Sequence, residues 1–193
     1  MVRDTVTEIL DTAERLVQVR GFNAFSYADI AATLGITKAS LHYHFPSKAD
    51  LGRALIQRYS GRFGDALAEI DAAGGDANAK LAAYAEIYAN VLRDHRMCLC
   101  GMLAADYDTL PDPMRAAVVS FFDRNEAWLV AVLAQGEREG SLRLQGSERD
   151  AAQAIVSGLE GAMLIARPYE DVSRFESAAT RLLRSFAAQS NPV

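Results

Sequence analysis

Apolar residues recur at three- and four-residue intervals along almost the whole chain, and no segment of useful length alternates as a strand would. From Thr5 to Arg20, the residues Val6, Ile9, Leu10, Ala13, Leu16 and Val17 trace one apolar stripe, which predicts an amphipathic helix stopped by Gly21. Phe22 and Phe25 then supply bulk between helices. The following stretch, SYADIAATLGITKASLHYHFPSKAD, predicts two short helices joined by a tight turn, with a third beginning just beyond. Ser26 with Asp29 forms a capping box ahead of Ile30, Ala31 and Leu34. Gly35 falls where the chain must turn sharply, and Thr37 can cap a second helix carrying Ala39, Ser40, Leu41, Tyr43 and Phe45. Pro46 keeps that helix brief, because the residue before proline is pushed away from the helical region. Ser47 with Asp50 is a second capping box. A stubby helix set at an angle behind a glycine turn is the shape of a helix-turn-helix.

Downstream, a long helix is expected from Ser47 to about Ala73, ended by Gly74-Gly75. Its first turns (Lys48, Leu51, Leu55) belong with the small N-terminal domain. Its later turns (Tyr59, Phe63, Leu67, Ile70) are expected to pack elsewhere, so that one rigid helix joins two cores. Helices follow over Ala77–Asp94, Cys98–Tyr107 and Pro111–Glu139, the prolines being tolerated in a first turn. Ser147 with Asp150 and Ser173 with Glu176 open the last two, reaching to about Ala166 and Gln189. Small residues (Ala154, Ser157, Gly158, Gly161, Ala162) line one side of the first of these; Leu182, Leu183 and Phe186 give the second its bulk. Such a pair suits packing within one subunit or a two-fold contact between subunits, and helix-turn-helix proteins usually bind as dimers.

The segment GFNAFSYADIAATLGITKASLHYHFPSKADL resembles the DNA-binding signature of the TetR/AcrR family of bacterial one-component regulators, with Gly21, Phe22, Ile30, Ala31, Gly35, Tyr43, Phe45 and Lys48 in register. The resemblance covers about the first quarter of the chain; beyond it the helix pattern agrees. It implies an all-α protein with an N-terminal three-helix helix-turn-helix domain at residues 1–47. Residues 48–193 would form a C-terminal helical domain that binds an effector and dimerises. Such proteins are mostly repressors, bind double-stranded DNA at palindromic operators, and dimerise through their last two helices as a four-helix bundle. A small-molecule or electrophile effector releases the operator. By the same resemblance Thr37, Tyr43 and Lys48 would contact phosphate, and Ser26 and Tyr27 the flanking backbone. Lys38, Ser40 and His42 are the better candidates for base edges.

Charge at first opposes a nucleic-acid partner, since the net value is −5. The acidity is uneven: residues 1–65 hold eight Lys/Arg against seven Asp/Glu, and residues 66–193 hold twelve against eighteen. The N-terminal part is thus slightly basic, and attraction to phosphate must come from local placement. Half of the residues are apolar and the charged share is ordinary, as in a soluble globular protein. The longest run without an acidic or basic residue, Ala127–Gly136, falls far short of the roughly 20 residues that span a bilayer. No signal-peptide pattern opens the chain, and the two cysteines fit a reducing cytoplasm.

Those cysteines sit in HRMCLCGM, residues 95–102. Both suit small core positions. His95, Cys98 and Cys100 offer three ligand types where structural zinc takes four, so no metal is assigned. The stretch MCLCGMLAADYDTLPDPM is similar to one in TetR relatives that sense reactive electrophiles, which makes Cys98 a candidate reactive thiol beside His95, Arg96 and a helix N-terminus. An effector pocket is expected among Tyr84, Tyr88, Met102, Tyr107, Phe121, Phe122, Asn125, Trp128 and Met163, although an ordinary core has the same composition. Phosphate-binding loops, nucleophile elbows and zinc-protease motifs are missing from the sequence, so no enzyme activity and no cofactor is expected. The rivals are a helical enzyme, recognisable by turnover, and a protein-binding adaptor, recognisable by indifference to duplex DNA.

Overall fold

The expected first helix forms at α1 (Thr5–Arg20), with Ile9, Ala13 and Val17 fully buried along its stripe. In this computed structural model, which describes residues 4–188, the helices that follow are α2 (Tyr27–Leu34), α3 (Lys38–His44), α4 (Lys48–Ala73) and α5 (Ala77–Arg93). After them come α6 (Leu99–Ala105), α7 (Asp112–Glu139), α8 (Glu148–Ala166) and α9 (Val172–Arg184). Among the described residues the only β feature is an isolated bridge between Leu142 and Ala187, so the chain is all-α.

The described residues divide into two compact units, residues 4–62 with 96–121 and residues 63–95 with 122–188. In the first, α1, α2 and α3 bury Ile9, Val17, Ile30 and Leu41 together with Leu51 and Leu55 from the start of α4. Tyr59, expected with the later turns of α4, belongs here too, its ring 5.7 Å from Phe121. The buried Glu14 of α1 receives Arg58 at 2.9 Å and Arg62 from α4, while Arg58 also reaches Asp11 at 2.8 Å. This charge network fastens α1 to α4 well past the helix-turn-helix. The α6 segment is fixed to the same unit: Met97 N–H donates to the Gln18 carbonyl (3.2 Å), Arg96 to the Gln18 side chain (3.0 Å), and Phe22 N–H to Asp106 (2.8 Å).

The second unit is built from the end of α4, α5, most of α7, α8 and α9. The helix pair α8–α9 meets where Gly158 faces Leu182; a Cβ at Gly158 would lie 2.6 Å from a Leu182 methyl. The small-residue side of α8 therefore serves two purposes. Gly158 lets α9 of the same chain approach, whereas Ala154, Ser157 and Gly161 stay exposed beside Leu164 and Ile165. At the far end, Arg143 N–H donates to the Phe186 carbonyl (2.8 Å) and Ala188 N–H to that of Ser141 (3.0 Å), pinning the end of α9 to the α7–α8 loop.

Two expected elements differ from those observed. The helix expected over Cys98–Tyr107 ends at Ala105, and a separate 3-10 turn covers Tyr107–Thr109. Asp106 is drawn away to the Phe22 amide, while the Thr109 hydroxyl bonds back to its carbonyl (2.7 Å), which tightens the chain there. The last helix is capped by Asp171, which accepts from Ser173 N–H (2.9 Å) and the Ser173 hydroxyl, in place of a Ser173–Glu176 box. It ends at Arg184, and Gln189 lies outside the described residues.

Candidate functional site

The helix-turn-helix is assembled by local chemistry. Ser26 donates from both N–H and hydroxyl to the Asp29 carboxylate at 2.7 Å, and this holds the Asp29 carboxyl below its usual range. Gly35 adopts a left-handed φ of 66°, which its lack of Cβ permits, and returns its N–H to Ala31. Thr37 then caps α3 by accepting from Ser40 N–H at 3.2 Å. In α3 only Leu41 is buried. Lys38, His42 and Tyr43 point outward, Tyr43 with 84% of its surface exposed, and Ser40 is half-buried. A seven-residue helix anchored by one leucine thus presents a polar face behind a glycine turn. Ser26 and Thr37 lie exposed at the N-termini of α2 and α3.

Two sequence candidates turn inward. The Tyr27 ring is buried and its hydroxyl donates to the Phe45 carbonyl at 2.8 Å; burial first, and Asp50 second, push its pKa up to about 12. The Lys48 ammonium donates to the carbonyls of Phe22 (2.6 Å) and Phe25 (2.5 Å) and lies over both rings, at 4.6 and 4.2 Å. Burial lowers its pKa, opposed by Asp106 and Asp29. Lys48 thereby ties the α1–α2 connection to the first turn of α4. Sequence spacing puts Tyr27 in the helix-turn-helix and Lys48 just beyond it, at the start of α4, but holds nothing about which way their polar ends point.

Of the expected effector residues, four come together in the second unit. The Tyr84 hydroxyl donates to Asn125 at 3.3 Å and lies 3.1 Å from the Tyr88 hydroxyl, and all three residues are buried. Trp128 stacks on Tyr84 with ring centres 5.6 Å apart, while its indole N–H donates to Asp71 at 2.8 Å. Phe63 closes the cluster edge-on to both tyrosines. Asp71, Lys80 (2.8 Å from Asp71) and Phe63 were absent from the sequence candidates, since their relation to Trp128 and Tyr84 is long-range. Phe122 (half-buried) and Met163 (buried) belong to the same unit. Met102, Tyr107 and Phe121 belong to the first unit: Phe121 packs on Tyr59, and Tyr107 is exposed beside Arg115. A separate open cleft of about 400 Å³ runs between α5 and α9, lined by Ala85, Ala89, Phe175, Ala179 and Leu183, and none of the expected pocket residues lines it.

Cys98 and Cys100 are both buried and unbridged. Cys98 is the N-cap of α6, its sulfur accepting from Gly101 N–H at 3.4 Å. His95 is exposed, and no three His, Cys, Asp or Glu gather as metal ligands among the described residues.

Comparison with known proteins agrees with this arrangement. Residues 9–55 match the model of the bacterial regulatory proteins of the tetR family, and residues 77–182 match the tetracyclin repressor-like C-terminal domain. The HTH-type transcriptional repressor NemR of Escherichia coli is 27% identical over 183 residues, spanning 91% of this chain and 90% of that protein. Among solved structures, a TetR-family regulator from Agrobacterium tumefaciens is 34% identical over 95% of this chain and 97% of its own, with a TM-score of 0.91. A TetR regulator from Legionella pneumophila is 32% identical over 96% and 98%, with a TM-score of 0.87. No helix among the described residues is long and apolar enough to cross a membrane. With a capped helix-turn-helix, a helical C-terminal unit and both family models matched in order, the chain belongs to the TetR family of DNA-binding transcriptional regulators, not to an enzyme family.

Proposed function

We propose that this protein is a repressor that binds a palindromic operator as a homodimer and is released by an effector held in its C-terminal unit. The observation that carries the reading is the outward face of α3, where Lys38, His42 and Tyr43 project from a helix that buries only Leu41. Thr37 and Tyr43 are assigned to phosphate, and Lys38, Ser40 and His42 to base edges in the major groove. Ser26 is assigned to the backbone at the groove's edge. Tyr27 and Lys48 act by holding the reading helix in place. Exposed Leu164 and Ile165, in line with Ala154, Ser157 and Gly161 on α8, support a two-fold contact through α8 and α9. The Tyr84–Tyr88–Asn125–Trp128 cluster supports a small aromatic or amphipathic effector. An effector that prefers the DNA-free conformation would couple to operator binding by about 1–3 kcal/mol, and the operator would weaken effector binding equally.

A second effector reading rests on Cys98. Its sulfur caps α6, and the α6 segment is bonded to Gln18 of α1, the helix that packs on the helix-turn-helix. Addition of the Cys98 sulfur across an activated C=C bond, the π bond breaking and a proton ending on the neighbouring carbon, would place new atoms in a filled core and disturb the cap. The test for both readings is selection of bound sequences from random duplex DNA, repeated with aromatic ligands and with electrophiles. Enrichment of a two-fold motif supports the assignment, and absence of any enriched motif rejects it. Unchanged electrophile release in Cys98→Ser removes the thiol reading alone.

A further inference from the structure

His42 does more than stand on the outer face of α3. Its Nδ1 lies 3.2 Å from the carbonyl oxygen of Pro46, one turn further along. A carbonyl oxygen only accepts, so in the neutral imidazole the proton resides on Nδ1 and Nε2 carries a lone pair. The ring is held from a second side by Tyr27, with centroids 4.8 Å apart and planes tilted by 51°. Tyr27 is itself locked by its hydroxyl bond to Phe45. Two donations, Tyr27 to Phe45 and His42 to Pro46, therefore fix the end of α3 and the ring together. His42 is exposed, and its Nε2 has no partner among the described residues.

We infer that His42 is a specificity-determining residue that reads an exocyclic amine, N6 of adenine or N4 of cytosine, by accepting it on Nε2. This rests on the proposed insertion of α3 into the major groove. There adenine and cytosine each offer an amine donor, whereas guanine offers N7 and O6, and thymine O4 and a methyl group. A bare Nε2 accepts from an amine and meets lone pair against lone pair at guanine N7 or O6. A histidine free to choose its tautomer could serve either set. The tether to Pro46 removes that choice, and because the ring is ordered before DNA arrives, little rotamer freedom is lost on binding.

The test has two arms, both in mildly alkaline buffer with the full-length protein. Long-range ¹H–¹⁵N correlation of the free protein, with His42 assigned by its disappearance in His42→Gln, reports which ring nitrogen carries the proton. The expected result is Nδ1–H with a bare Nε2, and an Nε2–H tautomer overturns the inference. In the second arm, sequences selected by wild type, His42→Ala and His42→Gln are compared. Wild type should prefer A or C at one position in each half-site by about tenfold, the size of one good base contact, and His42→Ala should lose that preference. Replacing that base by N6-methyladenine or N4-methylcytosine, which removes the groove-facing hydrogen, should weaken wild type by the same factor and leave His42→Ala unaffected. Duplex binding with unchanged preference in His42→Ala, or a lost preference for G or T, overturns the inference alone. Absence of any duplex binding overturns it together with the proposed function.

Discussion

Lys48 separates two accounts of the start of α4. Sequence resemblance makes it a phosphate contact, whereas the structure turns its ammonium onto the carbonyls of Phe22 and Phe25 and the faces of both rings. Lys48→Met keeps the aliphatic stem and removes the charge. Hydrogen bonds to a charged donor contribute about 1.5–3 kcal/mol each, and each ring contact about 0.5–1 kcal/mol. Against this stands the cost of burying the ammonium, visible as its lowered pKa, which Asp106 and Asp29 only partly offset. The net loss expected is about 2–3 kcal/mol of unfolding free energy, a fraction of the gross sum because the half-buried Lys48 side chain gives up part of its hydration to reach the buried carbonyls. Urea unfolding measures the loss directly. The second readout is the salt dependence of operator binding by the folded variant, since each phosphate contact removed lowers the slope of log K against log salt by about 0.9. A positioning role predicts lower stability with an unchanged slope. Wild-type stability with a slope reduced by about one unit would refute it and restore Lys48 to the phosphate.

Further predictions concern stability, assembly and binding. Gly61 and Gly64 lie inside α4, and a methyl group added at either would meet nothing within 4 Å. Gly61→Ala and Gly64→Ala should therefore each raise stability by about 0.8–1 kcal/mol in urea unfolding, and a loss would show a packing demand. The Asp29 carboxyl has its pKa lowered by the Ser26 hydroxyl and then by Ser26 N–H. Its contribution is therefore present above the unfolded value of about 4 and is lost as pH falls through the lower folded value. Asp29→Asn should flatten the fall in stability over that acid window, and an unchanged profile would contradict the cap's role. Ile165→Glu, at a position 62% exposed on α8, should yield a folded monomer by sedimentation with weakened operator binding; a persisting dimer would move the two-fold contact elsewhere. Tyr43→Ala should weaken all duplex sequences alike, measured as parallel drops in affinity for operator and random DNA.

What could be read from the sequence was what is local. Ser26–Asp29, Ser47–Asp50 and Ser147–Asp150 close their capping boxes, and Gly35 takes the left-handed turn, because each depends on residues only a few positions apart. Ser173 does not cap because Asp171, two residues earlier, is a charged acceptor that takes both the Ser173 amide and the Ser173 hydroxyl. The inward turns of Tyr27 and Lys48 depend on carbonyls 18 to 26 positions away, and the Glu14–Arg58–Arg62 network joins residues 44 and 48 apart. Periodicity places such residues on a face without naming what meets them. The aromatic cluster shows the same limit: Tyr84, Tyr88, Asn125 and Trp128 were recognisable by type, but Asp71 and Phe63 enter only through tertiary packing.

The central claim is that paired copies of α3 read duplex DNA. Hydroxyl-radical footprinting on the selected operator tests it most directly. Two protected patches are expected, related by a two-fold axis and separated by about one helical turn or a multiple of it, both lost when Tyr43 is replaced by Ala. A uniform duplex with no protection at any attainable protein concentration, or a single unpaired patch indifferent to Tyr43, would contradict it.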